Sequence, residues 1–313
     1  GRITQEVAED ALDHLEEMDR EFYRVEKDYI SGTVAMDSSA QGYRGISTYN
    51  SVMNGYVKDF VETCCPELFY ADRNHYTFWN NVEDNHLAAF LGIRYILSGD
   101  GNPDESGWRL LDKVGSLYIH ENALEADTAH FYTTAISEDS LRELCAEETR
   151  DLLLEGAIAL EDGEDVDSME EFDALISGGE TENENTQNGK SADVGEKAAG
   201  TPEEASYVTL DAPKKDSRIT GSIHAENEGY VLFMIPYEDG WELTIDGEEA
   251  ELLRGDIGFL ACEVPEGDHA LELTFHAPGL MEGAAGSAAC WAAFAILCAA
   301  PGIRKKRKSM RRI

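Results

Sequence analysis

Between Glu282 and Arg304 the chain carries no charge, and seven cations follow: Arg304, Lys305, Lys306, Arg307, Lys308, Arg311 and Arg312. An uncharged run of about 20 residues is long enough, as a helix, to cross a hydrocarbon core of roughly 30 Å. Cations flanking such a span stay in the cytoplasm by the positive-inside rule. The pattern predicts a transmembrane helix over 279–303 and a basic cytoplasmic tail over 304–313, with everything before Gly279 outside the membrane. The span is rich in Ala, Gly, Ser and Cys, and its large apolar residues are Trp291, Phe294, Ile296, Leu297 and Ile303. Ala284, Ala288 and Ala292, and likewise Ala285, Ala289 and Ala293, recur at four-residue spacing, which lets helix backbones approach closely. The expected partners are therefore other membrane helices. The chain starts at Gly1 without a signal peptide, so it is expected to be the C-terminal piece of a longer, multi-pass protein.

A length of 313 residues accommodates two domains. The net charge of −38 becomes more acidic still without the basic tail, and such a surface repels nucleic acid and anionic headgroups. Nucleic acid is thus excluded as a partner. The six cysteines form neither a disulfide framework nor a zinc pattern, since Cys64 and Cys65 are adjacent and Cys290 and Cys298 lie in the span. The histidines show no His-x-His or His-Glu-x-x-His spacing. Asp100, Asn102 and Asp104 begin like a calcium loop, but Glu105 replaces the required Gly and Leu111 the chelating Glu, so a turn is predicted. There is no Gly-x-Ser-x-Gly elbow and no phosphate-binding glycine loop. No catalytic residue, metal site or cofactor is predicted.

Periodicity divides the rest. Ile3, Val7, Ala11, Leu15 and Met18 share a helical face. A short strand is expected at 22–25, a Gly/Ser-rich aromatic loop at 42–51, and a helix from about Val52 to Cys64, stopped by Pro66. Leu87, Ala88, Phe90 and Leu91 form a short helix ended by Gly92, and Ile93–Leu97 a strand. A hairpin follows over Trp108–Val114 and Leu117–Glu121, then a single helix over Ser137–Leu154 with Ser137 as N-cap. Residues 1–158 read as a mixed α/β domain. Residues 159–204, with thirteen acids between 161 and 200, read as an acidic disordered linker. From Tyr207 the period is two, with candidate strands at 207–210, 218–225, 230–235, 241–245, 249–253, 258–264 and 269–276. That spacing predicts an antiparallel β-sandwich of jelly-roll or immunoglobulin-like type over 205–277. The fold class is α+β, followed by one membrane helix.

These residues resemble a known family. Tyr230-Val-Leu-Phe-Met-Ile-Pro-Tyr-Glu-Asp-Gly-Trp-Glu-Leu-Thr-Ile-Asp-Gly247, Gly258-Phe-Leu and Pro265-Glu-Gly-Asp-His-Ala-Leu-Glu-Leu-Thr-Phe275, followed by a terminal span, are similar to the YfhO family of bacterial membrane proteins. Upstream, Phe22-Tyr-Arg-Val, Gly45-Ile-Ser-Thr-Tyr-Asn-Ser, Leu91-Gly-Ile-Arg-Tyr-Ile-Leu and Tyr118-Ile-His-Glu-Asn122 stand in that family's order. The resemblance implies a polytopic protein like the GT-C class of lipid-linked-sugar glycosyltransferases, in the bacterial plasma membrane. It implies a link to glycosylation of envelope polymers of the lipoteichoic acid type. The catalytic carboxylate of that class sits in an early external loop between membrane helices, which this chain lacks.

Four residues are candidate carbohydrate contacts. Tyr237 and Trp241 flank the Pro236–Trp241 turn, and Tyr43 with Arg44 offers a second aromatic and polar surface. The competing expectation for Trp241 is the sandwich core, because alternation sets it on one face with Leu243 and Ile245. For Tyr43 and Arg44 it is a loop packed onto its neighbours. The functional alternatives are an accessory region that docks an envelope glycopolymer or braces the membrane domain, and a non-enzymatic, membrane-anchored carbohydrate-binding or adhesion module. A secreted β-sandwich hydrolase conflicts with the terminal span.

Overall fold

The computed structural model describes residues 5–29, 38, 41–49, 53–69, 75–78, 84–99, 107–166, 171–172, 174, 206–211 and 218–310. The expected turn at 100–104 and most of the expected linker lie outside them.

Helix α1 (Gln5–Met18) buries Ala8, Ala11, Leu12 and Leu15 along one stripe. The stripe packs with Tyr23, Val25, Tyr95, Leu97, Leu117 and Ile119 in a small core of its own. The covered surface is a four-stranded sheet in the order β1 (Arg24–Lys27), β4 (Ile93–Ser98), β6 (Leu117–Asn122), β5 (Trp108–Val114). Strand β1 runs parallel to β4, and the other pairs are antiparallel. The expected strand at 22–25 thus lies two residues later, where main-chain pairing to β4 begins. A small ladder joins β2 (Thr48–Tyr49) to β3 (His75–Tyr76).

Helix α2 (Gly55–Cys64) starts where the Asn54 side chain accepts the Val57 N–H at 3.1 Å. Helix α3 (Asn85–Phe90) starts where Asp84 accepts the Leu87 N–H at 2.9 Å. Gly92 then turns the chain into β4 at φ +70, with no room for a Cβ, which would lie 2.7 Å from Thr128 Cγ2. The single helix expected over 137–154 is two: α4 (Glu138–Glu143), capped by Ser137, and α5 (Ala146–Glu155). Leu144 is extended between them, and the Cys145 N–H turns to the Glu148 carboxylate at 3.0 Å, starting a new helix.

Two larger sheets hold the rest. One has five strands in the order β10 (Tyr207–Asp211), β11 (Arg218–Ala225), β17 (Gly267–Phe275), β13 (Trp241–Ile245), β14 (Glu248–Ala250). The other has six: β7 (Ala129–Tyr132), β12 (Gly229–Pro236), β16 (Phe259–Val264), β15 (Leu253–Gly255), β9 (Ile158–Leu160), β8 (Ala135–Ser137). The strand expected at 249–253 is divided, because the chain crosses from the first sheet to the second between β14 and β15. Leu232 and Met234 of β12 enter the main core with Phe60, Phe90, Leu152 and Phe259. Alternation turns Val231, Phe233 and Ile235, all buried, to the opposite face. The buried Val208, Leu210, Ile223, Leu271 and Leu273 of the five-stranded sheet supply an apolar face for such a layer. The α+β class with antiparallel sheets is the one expected.

The six-stranded sheet takes β7, β8 and β9 from residues 129–160 and β12, β15 and β16 from residues 229–264, so one sheet draws on both sides of the segment expected as a linker. Leu160, Val166 and Phe172 belong to the main core, Phe172 being 1% exposed. The first part of the expected linker is therefore packed, driven by the few apolar residues among its acids. Half-buried Arg24 stitches the layers further, donating to the carbonyls of Leu91 and Met234.

The chain divides into two compact units, one of 1–238 with 242–274 and one of 239–241 with 275–313. In the second, Trp241 lies against Phe275 with ring centroids 5.1 Å apart, and the His276 N–H donates to Gly240 O at 2.7 Å. Helix α6 (Leu280–Met310) follows. Its first 19 residues, Leu280–Cys298, are long and apolar enough to cross a membrane.

Candidate functional site: a polar and aromatic groove

Among the described residues, a concavity lies where the end of α1, strand β1, the loop around Tyr43 and strand β10 meet. It is a cavity of about 440 Å³. Tyr23 and Tyr43 give it aromatic surface, Arg20 and Arg44 guanidinium groups, and Asp13, Glu16, Glu17 and Asp211 carboxylates. A second cavity of about 410 Å³ shares Arg20, Glu21 and Asp211 with the first and adds the hydroxyls of Thr209, Thr220 and Ser222. Together they form a trough along the exposed side of β10 and β11.

The trough is held by a strand that carries charge where strands are usually apolar. In Arg24-Val-Glu-Lys27, both Glu26 and Lys27 are buried. Glu26 Oε1 accepts the N–H groups of Ile46 and Ser47 at 2.5 and 2.8 Å, and Oε2 accepts the Ser47 hydroxyl at 2.7 Å. Burial raises the Glu26 pKa, and these donors work against that rise. Lys27 Nζ donates to Gln41 Oε1 at 2.6 Å and sits 4.6 Å from the centre of the Tyr43 ring. The Val25 N–H donates to Arg44 O at 2.8 Å. The loop bearing Tyr43 and Arg44 is therefore fixed at both edges by β1.

Behind the lining residues Asp19 and Glu21, Arg94 Nη1 reaches Asp19 at 2.9 Å and Glu21 at 2.7 Å, and the Tyr95 hydroxyl donates to Asp19 at 2.8 Å. Burial works to lower the Arg94 pKa, but its bonds to Glu21 and Asp19 outweigh that and raise it. Burial, helped by the charges of Asp19 and Glu16, pushes the Tyr23 phenol up to about 12. Burial lowers the Arg44 pKa, and its guanidinium lies 4.8 Å from the centre of the Phe22 ring. The groove presents phenol, guanidinium, carboxylate and hydroxyl groups at fixed positions and holds no nucleophile–base pair. Among the described residues, no group of three or more His, Cys, Asp and Glu is placed to hold a metal ion.

Of the four residues singled out in the sequence, Tyr43 and Arg44 come together in this groove. Tyr237 does not line it. Its ring is edge-on to Tyr56 at 5.4 Å, its N–H donates to Gly258 O at 2.9 Å, and its carbonyl accepts from Asn54 Nδ2 at 2.8 Å. Trp241 is half-buried against Phe275 in the unit that carries the apolar helix, less enclosed than a core tryptophan. Sequence reasoning missed Tyr23, Glu26, Arg94 and Asp211. The available signal was charge in or beside the predicted strands: Arg94 inside that at 93–97, and Glu26 just past that at 22–25.

Residues 204–287 match the family model described as bacterial membrane protein YfhO. Over 62 residues the chain is 37% identical to an uncharacterized protein YfhO of Bacillus subtilis (strain 168), a stretch that covers 20% of this chain and 7% of that relative. The similarity to the YfhO family is carried by this segment, about a quarter of the chain, and the chain spans only a small part of that relative's length. No solved structure matches it. The YfhO segment contains β10 through β17, Tyr237, Trp241 and the start of the apolar helix. It supplies one wall of the trough, with Thr209, Asp211, Thr220 and Ser222, while Tyr23, Tyr43 and Arg44 come from upstream.

Proposed function

We propose that this chain is the extracytoplasmic accessory region of a multi-pass YfhO-type protein of the bacterial plasma membrane, and that it serves glycosylation of an envelope polymer. Its role is to dock the acceptor chain beside the membrane. The observation that carries this reading is the trough, built between the YfhO segment and the upstream strands, in a chain that also bears a helix of membrane-spanning length. Hydroxyl-rich chains are bound by carboxylates, guanidinium groups and hydroxyls at fixed spacing, with aromatic faces against apolar sugar faces. The carboxylates of the trough repel phosphodiesters, so on a polymer of the lipoteichoic acid type it takes the glycosyl or polyol units. The small-residue pattern of Leu280–Cys298 supports packing against further membrane helices of the same protein.

Purified lipoteichoic acid titrated into the full chain in detergent tests the docking role. Tyr43→Ala combined with Arg44→Ala should weaken binding about tenfold, which corresponds to about 1.4 kcal/mol, without changing the unfolding midpoint by more than a few degrees. Equal affinity in the two proteins would remove the groove from the reading.

Orientation is tested separately. The thiol of Cys145 is exposed, and those of Cys64, Cys65 and Cys262 are buried. In a background of Cys290→Ala and Cys298→Ala, an impermeant maleimide should label Cys145 on intact cells. It should label a Ser309→Cys variant at that added position only after lysis. The reverse pattern would place the bulk of the chain in the cytoplasm.

A further inference from the structure

The turn between β15 and β16, Gly255-Asp-Ile-Gly258, contains two consecutive non-glycine residues in the left-handed region, Asp256 at φ 46 and Ile257 at φ 66. A β-branched residue there is strained, and such strain persists where surrounding contacts over-determine the backbone. Those contacts run to β9 and α4. The Asp256 N–H donates to Ala159 O at 2.8 Å, and Asp256 Oδ1 accepts the Ala159 N–H at 2.8 Å. The Ile257 N–H donates to the Glu138 carboxylate. Arg254 Nη1 donates to Ile257 O at 3.2 Å, and its Nη2 lies 3.0 Å from Glu138 Oε2.

Asp256 is 0% exposed. Its Oδ2, like Oε1 of Glu138, is a buried oxygen with no hydrogen-bond partner. An ionised carboxylate with one donor, no solvent and another carboxylate close by is strongly disfavoured. The neighbouring cation, Arg254, is bound to Glu138 and also faces Glu161 at 3.8 Å. The other titratable groups facing this cluster are Tyr132 of β7 and Cys64 of α2, both raised chiefly by burial and both feeling the Asp256 charge, and Arg142 of α4, which acts on Glu138. None supplies a positive charge to Asp256.

We propose that this turn is a proton-held latch: Asp256, neutral with its proton on Oδ2, closes the seam between the β15–β16 hairpin and β9, and loss of that proton to solvent opens it. Burial, with Glu138 adding to it against the Ala159 bond, pushes the Asp256 carboxyl up to about 8. The same turn carries Gly258, whose carbonyl holds the Tyr237 N–H. Opening therefore loosens the YfhO segment from residues 135–166 and from α2 together.

The sign follows from linkage. The folded state keeps a proton that the unfolded chain releases above an ordinary aspartate pKa, so this stabilisation is full at acid pH and is lost as pH rises through the folded pKa. For the full chain in detergent, the folding equilibrium constant should fall by up to about tenfold per pH unit between pH 5 and 8, and level off above that. Asp256→Asn, which stays neutral, should lose this slope. Protection of the Ala159 amide against hydrogen exchange, corrected for intrinsic rates, should drop over the same range in the wild type only. If Asp256→Asn does not fold, Asp256→Ser, which still offers an acceptor to Ala159 and does not titrate, replaces it. A substituted protein with the wild-type slope, or a wild type with constant stability from pH 5 to 8, overturns the latch.

Discussion

Phe60→Ala is expected to lower the stability of the chain by about 3–5 kcal/mol, in a single transition. Phe60 is 2% exposed, its ring meeting Phe259 edge-on at 4.8 Å and Phe90 at 6.5 Å. Phe259 belongs to the YfhO segment, and Phe60 and Phe90 to the upstream helices α2 and α3. Truncation leaves a void at the joint between them, and a packed interior relaxes only partly around such a void. Because the two regions share this core and the six-stranded sheet, they should melt together. A calorimetric scan with two resolved transitions, only the first displaced by the substitution, would mean that two separate cores exist.

Glu26→Ala is expected to have a comparable effect, about 3–5 kcal/mol, because it breaks a buried charged arrangement by removing one member. Two backbone N–H groups and one hydroxyl lose their acceptor in a half-buried region. Arg24 also loses a neighbouring anion that favours its charge. Glu26→Gln keeps the volume but turns an amide N–H₂ toward groups that are themselves donors, so it should fall between the wild type and Glu26→Ala. Urea unfolding gives the ranking. A loss below about 1 kcal/mol for Glu26→Ala would show that the loop at 41–47 is held by other contacts.

Most of strands β10 to β17 were legible because they either alternate, as in β10, or run apolar, as in β12, between turn residues. Within that stretch Trp241–Ile245 was placed at its observed bounds, and the division of 249–253 was missed because a change of sheet leaves no mark on a pattern that records only alternation. Strands β7, β8 and β9 were not seen at all. Each has three or four residues, and Ile158-Ala-Leu160 is too short to show any period. β7 and β9 are strands through pairing with residues about a hundred positions later, and β8 through its pairing with β9. The groove was half legible. Tyr43 and Arg44 stood out as an aromatic and polar pair in a glycine-rich loop, but the residues that orient them lie on β1, where buried charge runs against the usual strand composition. Asp211 faces them only because the Phe22 N–H pairs with Leu210 O at 3.2 Å, a contact between segments nearly two hundred residues apart.

The order of strands also bears on mechanical load. Strand β17 ends at Phe275, and the apolar helix begins at Leu280. In its sheet β17 is the middle strand, flanked by β11 and β13, with eight residues paired to β11 alone. A tether attached to an edge strand peels one ladder at a time. Tension drawn along the chain from Leu280 enters the sheet at its centre and meets ladders on both sides at once. Pulling on the apolar helix is thus resisted by β11 and β13 together before β17 is drawn out.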